Sequence, residues 1–445
     1  MARHEGKKSV LRSGPVVSRG RRIDATLHSA LRAFPGPRVA WSPPDGPALV
    51  GCESAATITA NGPDRFDTIR NEAETVFSSV DVAAEGSPPE SLAPRLFGGF
   101  AFHDGFRSGP PWHGFPGARF VLPRVILLED DGETWLSVTE TGPDATPASA
   151  ARALETAEAR IERAPHRDGP PPGVATTERV PGRAGWREQV ERALDRIRAG
   201  ELEKVVLAQQ LTAHLHGTFR LADALSRLDR AYPGCYRFAV DPGVGTAFFG
   251  ATPERLITLE DGQVRTVALA GSVGRGGTER EDERLATELK RSEKIRHEHD
   301  IVVGAIRDQI RSVADGVAMG EVGVRKLANV QHLETPIRAD QDGETHVLDL
   351  VEALHPTPAV GGLPPETAGR TIAETEQFDR GWYAAPVGWF DAEGNGTFAV
   401  GIRSAVAEGG TVTLFAGNGI VADSDPDVEW DELQLKYRPI LDQLR

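Results

Sequence analysis

The segment 387–417, VGWFDAEGNGTFAVGIRSAVAEGGTVTLFAG, alternates apolar runs with turns rich in glycine and acidic residues. It predicts two consecutive β-hairpins, one turning at Ala392–Gly396 and the other at Glu408–Gly410. Glycine is favoured at these positions because it readily adopts the positive φ angles that tight hairpin turns require. Strands joined by hairpins are antiparallel. We therefore expect antiparallel sheet near the end of the chain.

Helices are predicted on both sides of this segment. Downstream, residues 424–427 (SDPD) combine capping side chains with a proline in the first helical turn, which predicts a terminal helix. Upstream, apolar residues at helical spacing predict a long helix over about 281–314, and 147–164 predicts another. The front, 23–140, has short apolar runs between Gly/Pro turns, typical of strands. The fold class is α+β, with large, mostly antiparallel or mixed sheets layered with outer helices.

The composition divides the chain into four expected parts. Residues 1–22 are basic and predict a disordered tail, and 23–164 form a β-rich front part. Residues 165–183 are rich in Pro and Gly and predict an irregular linker. The remaining part, 184–445, carries most of the motifs.

Charge and hydropathy exclude several classes of protein. Across 445 residues, 39% of them hydrophobic, no apolar run reaches the length of about 18 that a membrane helix needs. The N-terminus lacks the apolar core of a signal peptide, so we expect a cytoplasmic protein without a membrane partner. A net charge of −15 argues against a nucleic-acid partner. Cys52 and Cys235 are too few for a disulfide framework and are interpreted as structural residues.

The segment 290–303, KRSEKIRHEHDIVV, has the composition of a metal site. Residues two apart on a helix are separated by about 200°, so His297 and His299 project to nearly opposite sides and do not share one ion. His297 has polar neighbours and is interpreted as a solvated histidine. Glu298 lies on the apolar stripe, where a carboxylate is costly unless it is paired or binds a cation. A structural ion pair and a metal ligand both remain open.

The predicted terminal helix repeats this pattern in VEWDELQLKY. Glu429 and Glu432 are three residues apart and share a face, with Lys436 one turn further on. An ordinary Glu–Lys surface pair is one interpretation. The other is a carboxylate site shared with Glu298, and such oxygen ligands suit magnesium.

A lysine and a glutamate stand in unusually apolar strands. Lys204 in EKVVLAQQL either reaches solvent at a strand edge or is buried, where it could act as a general base. Glu254 follows the apolar run in FFGATPERLI, and burial would raise its pKa toward that of a general acid. Glycine-rich loops at 270–272, 358–362 and 415–420 end predicted strands, where bare backbone can approach a ligand.

The back half carries a set of motifs that is specific when taken together. In order they are EKVVLAQQL, FGATPERLI, LAGSVGRG, SEKIRHEHDIVV, KLANVQHLETPI, LHPTPAVGG, FDRGWYAAPVGWFD, FAVGIRSA and LFAGNGIVADSDPDVEWDELQLK. This set resembles the chorismate-utilising enzymes, and among them the isochorismate synthases. The resemblance covers roughly 185–445, and LFGGFAFHDGF (96–106) is the front segment most similar to the family.

The resemblance implies an isomerase that converts chorismate to isochorismate with Mg²⁺, for menaquinone or siderophore synthesis, as a monomer or homodimer. It assigns Lys204 to activating the water that attacks C2 of the ring, and Glu254 to protonating the departing C4 hydroxyl. Glu298 and Glu432 would hold the metal, with Glu429 in or near its shell. The implied substrate contacts are Gly271, Ser272, His332, Ala359, Tyr383, Arg403, Gly417 and Lys436.

The choice among the enzymes of this family depends on a smaller number of residues. PAVGG (358–362) replaces the PIKGT-type motif of the aminodeoxychorismate branch, and Lys204 disfavours an anthranilate synthase component I, which usually lacks this lysine. A salicylate synthase, which also releases pyruvate, and an inactive binding homologue remain alternatives; we favour menaquinone synthesis. The chain departs from the family pattern in two places: Ile295 occupies a position that is often acidic, and LAGSVGRG lacks the TRPRG motif that is common in the family. We expect Ile295 to alter the outer shell of the metal site.

Overall fold

The computed structural model describes residues 16–78, 80–82, 89–165, 167–326, 330–341 and 345–445. Its strands are, in chain order, β1 (Val16–Ile23), β2 (Arg38–Ser42), β3 (Ala48–Cys52), β4 (Ala56–Ala60), β5 (Val80–Val82), β6 (Leu96–Phe100), β7 (Ala118–Leu122), β8 (Val125–Asp130), β9 (Glu133–Thr141), β10 (Val174–Val180), β11 (Lys204–Leu215), β12 (Tyr236–Asp241), β13 (Thr246–Thr252), β14 (Arg255–Glu260), β15 (Gln263–Gly274), β16 (Asp315–Met319), β17 (Gly323–Lys326), β18 (Val330–Asp340), β19 (Gly362–Leu363), β20 (Pro386–Phe390), β21 (Gly396–Val400), β22 (Ser404–Glu408) and β23 (Thr411–Ile420). Its helices are α1 (Leu27–Ala33), α2 (Arg65–Phe77), α3 (Pro147–Glu162), α4 (Arg183–Arg198), α5 (Leu221–Ala231), α6 (Glu279–Arg291), α7 (Glu293–Arg311), α8 (Val347–Leu354), α9 (Pro365–Thr375) and α10 (Pro426–Leu441), with a 3₁₀ turn at Glu90–Leu92.

The strands of the described ranges form two sheets. The first has 13 strands in the order β10-β11-β23-β22-β13-β12-β2-β3-β8-β9-β1-β5, with β19 paired to β11. The second has 10 strands in the order β16-β18-β15-β14-β21-β20-β6-β7-β4, with β17 paired to β18. Pairing is antiparallel except between β1 and β5, within those ranges. The predicted α+β class with mostly antiparallel sheets and outer helices is confirmed.

Both halves of the chain contribute to both sheets. Strand β2 pairs with β12 in the first sheet, and β6 pairs with β20 in the second. Aromatic side chains from both halves pack together, since Trp112 lies 5.2 Å from Phe248 and 5.4 Å from Phe415 between ring centroids. This shared core ties the front half to the strands that carry the site described below.

The two predicted hairpins are confirmed. Strands β20 and β21 are joined by residues 391–395, where the Asp391 carboxylate accepts hydrogen bonds from the backbone N–H groups of Glu393 (3.1 Å) and Asn395 (2.9 Å). Strands β22 and β23 are joined by 409–410, and Gly409 has a φ of +56°. The terminal helix α10 is capped as expected, because the Asp425 side chain accepts hydrogen bonds from the first helical turn.

The predicted tail boundary is wrong for residues 16–22, which lie in strand β1. This strand pairs along its whole length with β9, and Val16 and Val17 are buried. Its basic residues have acidic partners, since Arg21 pairs with Glu158 and Arg22 with Glu133. Two of the three arginines of β1 therefore lie beside carboxylates at the sheet surface. Residues 1–15 of the predicted tail lie outside the described residues.

The predicted irregular linker, 165–183, contains strand β10. Its residues 174–180 pair antiparallel with β11, at the end of the first sheet. An edge strand tolerates flanking prolines because its outer N–H groups need no partner strand. The prediction is therefore wrong for 174–180, whereas the Pro- and Gly-rich residues 167–173 form neither helix nor strand.

The predicted long helix over 281–314 is two helices. Ser292 separates α6 from α7 with an extended ψ of 113°, and its hydroxyl accepts a hydrogen bond from the Ile295 N–H. Ser292 thus caps α7, and serine is a favoured residue for that role. The apolar stripe is as expected, with Leu289 and Val302 buried. None of the helices in the described ranges combines the length and apolar character that a membrane crossing requires.

Candidate active site

A cavity of about 340 Å³ is lined by strands of both sheets and by α10. It brings together residues that are far apart in sequence. The predicted site residues on its wall are Lys204, Glu254, Gly271, His332, Ala359, Tyr383, Arg403, Gly417, Glu429, Glu432 and Lys436. The side chains of the other two, Ser272 and Glu298, lie outside what the structure describes. The roles given to all of these residues stay predictions.

Lys204 is the first residue of β11 and is only 6% exposed. At this end of β11 Lys204 is paired with Leu363 of β19, and its side chain is buried, so the interpretation that it reaches solvent at a strand edge is wrong. The bare backbone of Gly419 makes room for the side chain, since a Cβ at this position would lie 2.7 Å from the Lys204 Cε. The lysine is therefore buried against the cavity wall and held beside a glycine.

Replacing Gly419 by alanine is expected to displace the Lys204 amine without unfolding the protein. The added methyl group meets the far end of a flexible side chain, which can move, whereas the backbone around it need not. We expect a loss of activity of about tenfold or more, because small misplacements of reacting groups are costly. Steady-state kinetics and a thermal melt test this, with Gly234→Ala as control, since a Cβ there meets nothing within 4 Å. Wild-type activity in Gly419→Ala would contradict the steric argument.

Glu254 lies where the chain passes from β13 in the first sheet to β14 in the second. Burial raises the pKa of Glu254 to about 7, although the nearby charges of Lys204 and Arg403 act to lower it. A carboxyl group with this pKa is half protonated near neutrality, so it can serve as a general acid. The apolar run before Glu254 led us to expect this raised pKa.

Arg403 lies at the return crossing, between β21 in the second sheet and β22 in the first. The two crossings are joined by backbone hydrogen bonds, from Ala251 N–H to the Arg403 carbonyl (3.1 Å) and from Val400 N–H to the Glu254 carbonyl (3.0 Å). Arg403 has a φ of +51°, an uncommon value for a residue with a side chain. This strained backbone conformation occurs at a residue that lines the cavity, where such strain is commonly found.

Tyr383 forms a buried part of the wall. Its ring stacks on Phe415 with 5.3 Å between centroids, and burial raises the pKa of its phenol to about 12. The hydroxyl therefore stays protonated and can donate a hydrogen bond. Gly417 is needed beside it, because a Cβ there would lie 3.0 Å from the Tyr383 hydroxyl.

Gly271 forms a β-bulge between β15 and β18, with a φ of +72°. This conformation favours glycine, and a Cβ would meet the Ile295 Cγ2 at 2.3 Å. Ile295, the departure from the family pattern, thus packs on this bulge and lines the cavity. His332 lies across from Ser272 in the ladder, and burial lowers its pKa to about 3, with Arg403 and Lys436 adding to the effect. The imidazole is therefore neutral.

Helix α10 presents Glu429, Glu432 and Lys436 to the cavity. Lys436 Nζ lies 2.7 Å from Glu432 Oε1, so the Glu–Lys pair exists but faces the cavity. Burial and the charge of Glu432 raise the pKa of Glu429. Burial also acts to raise the pKa of Glu432, but the charge and hydrogen bond of Lys436 lower it overall. The Glu432 carboxylate is thus paired with Lys436, whereas the negative charge of Glu432 disfavours ionisation of Glu429.

The two histidines of α7 are placed as the helical geometry predicts. His297 is exposed, and His299 is 1% exposed with its Nε2 2.7 Å from the Thr335 hydroxyl. The prediction that they project to different sides of the helix is confirmed. Among the side chains that the structure describes, no three His, Cys, Asp or Glu residues cluster as metal ligands.

Arg380 and its partner Glu376 support the cavity wall and were not predicted. Arg380 donates hydrogen bonds to the carbonyls of Val360 (2.8 Å) and Val206 (2.7 Å), and its guanidinium pairs with the buried Glu376. It thereby fastens the loop carrying Ala359 to strand β11 beside Lys204. The motif FDRGWY contains Arg380, but only the fold shows what it contacts.

A smaller cavity of about 220 Å³ adjoins the first. It is mainly apolar, and its distinct wall includes Tyr232, Cys235 and Leu435. The residues common to both cavities are Pro253, His332, Arg403, Glu432 and Lys436. We place the reaction in the larger cavity because Lys204 and Glu254 line that one.

The fold and this cavity define a chorismate-binding enzyme, and the chain belongs to that family: the family model described as "Chorismate binding enzyme" matches residues 13–445. The chain is 35% identical over 424 residues to the isochorismate synthase MenF of Bacillus subtilis, covering 93% of this chain and 89% of that protein. It is 37% identical over 399 residues to the salicylate biosynthesis isochorismate synthase of Pseudomonas aeruginosa, covering 88% and 82%. Its structure resembles the menaquinone-specific isochorismate synthase MenF of Escherichia coli with a TM-score of 0.83 and 26% identity, covering 98% and 96%.

Proposed function

We propose that this protein is an isochorismate synthase, an isomerase that moves the ring hydroxyl of chorismate from C4 to C2. The observation that carries the proposal is that one cavity holds a buried lysine and a glutamate whose pKa is raised to about 7. A base and an acid in one cavity suit a reaction that adds water at one carbon and removes it at another. Relatives that carry the name isochorismate synthase support this choice.

The proposed reaction is balanced in atoms and protons. The Lys204 amine takes a proton from a water molecule, whose oxygen forms a bond to C2 of the ring. The ring double bonds shift, the C4–O bond breaks, and Glu254 gives its proton to the departing hydroxyl, which leaves as water. The lysine is then protonated and the glutamate ionised, so a proton returning from one to the other restores the enzyme.

The charge of the cavity suits a substrate with two carboxylates. Arg403 and Lys436 supply positive charge on its wall, and the protonated Tyr383 supplies a neutral donor. Charged donors bind carboxylates more strongly than neutral ones, and an arginine can do so with two parallel bonds. We assign these three residues to holding the carboxylates of chorismate.

The acidic residues of α10 fit a magnesium site. Glu429 and Glu432 offer carboxylate oxygens to the same cavity, and the repulsion between them would be relieved by a cation. Magnesium usually takes one or two protein carboxylates and completes its shell with substrate oxygen and water. We propose that Glu432 and Glu298 hold it, with Glu429 in or near the shell. Bound there, Mg²⁺ would neutralise and orient a substrate carboxylate.

Replacing Glu432 by glutamine is expected to weaken metal binding by about tenfold or more, because a charged ligand is lost. The Mg²⁺ concentration at half-maximal activity should rise by that factor. The loss of free Mn²⁺ signal in electron paramagnetic resonance measures the same affinity without turnover. Glu188→Gln, on the exposed face of α4, is the matched control. An unchanged metal titration in Glu432→Gln refutes the ligand assignment.

The activity is expected to fall as the pH rises through about 7. Glu254 must be protonated to act as the acid, and its pKa of about 7 means that the active form is lost above neutrality. A pH profile of kcat/KM should therefore show an alkaline limb in this region. If activity stays constant well above neutrality, Glu254 is not the acid.

Identification of the product decides the function. The protein is incubated with chorismate and Mg²⁺, and the products are separated by chromatography. Isochorismate supports the proposal; salicylate with pyruvate shows a salicylate synthase, and anthranilate formed with ammonia shows an anthranilate synthase. No turnover shows a binding homologue. We further propose that the product serves menaquinone synthesis, and loss of menaquinone after disruption of the gene tests this against a siderophore role.

A further inference from the structure

Asn418 is a buried polar residue behind the cavity wall. It lies in β23 between Gly417 and Gly419, which both line the cavity. Because successive residues of a strand point to opposite faces, the Asn418 side chain lies on the other face, against α10. It is 1% exposed. A polar side chain in this position is costly unless its hydrogen bonds are made.

The Asn418 amide makes hydrogen bonds to two cavity residues. Its Nδ2 donates to the Glu429 carbonyl (2.7 Å) and to the Glu429 Oε2 (2.9 Å). Its Oδ1 accepts a hydrogen bond from the Lys436 ammonium. Exchanging the amide oxygen and nitrogen would set donor against donor and acceptor against acceptor, so this orientation is the one that satisfies all three groups.

The amide stands between two opposite charges. Lys436 donates its other hydrogen bonds to the Gly417 carbonyl (2.9 Å) and to the Glu432 carboxylate. With Asn418 as its third acceptor, the ammonium uses its three N–H bonds without a direct bond to Glu429. The carboxylate of Glu429 is meanwhile held by a neutral donor. Asn418 thus holds both charged groups in place through its own hydrogen bonds.

We propose that Asn418 is a positioning residue, which sets the affinity of the site for a divalent cation through Glu429 and, by holding the positive charge of Lys436 at the cavity wall, its affinity for the substrate carboxylate. This inference rests on the proposed function for its substrate part and on the proposed metal site at Glu429 for its cation part. Residues that orient metal-site carboxylates from behind typically change metal affinity by about 10- to 100-fold when they are removed. Asn418 itself does not line the cavity, so its replacement deletes no cavity contact.

The test compares Asn418→Leu, which keeps the branched shape without hydrogen bonds, with the wild-type chain. The Kd for Mn²⁺ alone, read from the free-ion paramagnetic signal, should rise about tenfold or more. The KM for chorismate at saturating Mg²⁺ should rise by a similar factor, while kcat falls much less, because the proposed base and acid lie elsewhere on the wall. Asn418→Ser, which retains one hydrogen-bonding group, should give an intermediate change. If Asn418→Leu does not fold, the same measurements are made on Asn418→Ser.

Asn395→Leu is the matched control. The Asn395 side chain also bonds a backbone N–H, that of Asp261 (3.1 Å), but Asn395 is not on the wall of either cavity. Its Mn²⁺ affinity should equal that of the wild type even if its melting temperature falls. A folded Asn418 variant with wild-type Mn²⁺ affinity and KM overturns the inference. Absence of isochorismate from the wild-type chain overturns the proposed function instead, and leaves the Mn²⁺ result to decide the role of Asn418.

Discussion

Lys204→Ala is expected to lower kcat by about 1,000-fold, within the range that a positioned general base contributes. The lysine is buried at the start of β11 and borders the cavity, and Gly419 leaves room for its amine. Alanine removes the proposed proton acceptor without adding bulk. Binding of chorismate, measured by calorimetry, should persist because Arg403, Tyr383 and Lys436 remain. Kinetics and binding together separate a catalytic loss from a binding loss.

Lys290→Ala is the control for this change, because Lys290 is an exposed lysine on α6. It should have the activity of the wild type. The assignment of Lys204 as the base fails if Lys204→Ala retains activity within a few-fold of the wild type. Loss of chorismate binding in step with activity would point instead to a binding role for this lysine.

Glu254→Gln is expected to have an effect of similar size, a loss of about 1,000-fold in kcat. Glutamine preserves the shape of the side chain, but its amide does not deliver a proton to the departing hydroxyl. The alkaline limb of the pH profile should disappear from whatever activity remains, since the group that titrates near pH 7 is gone. Kinetics across neutrality measure both effects.

The same substitution has an expected signature in stability. The pKa of Glu254 is raised from 4.5 to about 7 in the folded protein, so its contribution is fully present below about 4.5 and is lost as the pH rises through 7. Glu254→Gln should therefore lose less stability over this interval than the wild type, which thermal melts would show. Glu260→Gln, an exposed control on β14, should match the wild type in both activity and pH dependence. Full activity in Glu254→Gln would rule out its role as the acid.

Local interactions explain where prediction from the sequence succeeded. The hairpins around 391–395 and 409–410 depend on glycine and aspartate within the turns, and the start of α10 depends on Asp425, a cap for its own first turn. The opposite placement of His297 and His299 follows from helical geometry alone. Each of these features is determined by residues a few positions apart, so it can be predicted from the sequence.

Prediction failed where distant partners decide the structure. The basic residues of β1 resemble a tail until Glu158 and Glu133 are placed beside Arg21 and Arg22. Strand β10 lies within a segment rich in Pro and Gly and forms because it pairs with β11. The break at Ser292 was overlooked because the apolar stripe continues through it, although a serine cap was a readable signal.

For the site, the sequence by itself determined the candidate residues and the chemistry that their types allow: a lysine and a glutamate in apolar strands, and paired carboxylates on α10. Only the tertiary structure decided that they meet, because Lys204, Glu254 and Lys436 come from three distant parts of the chain and share one cavity. It also decided the supporting contacts of Asn418 and Arg380. Burial, which raises the pKa of Glu254, is produced by the packing of both sheets and belongs to no single segment.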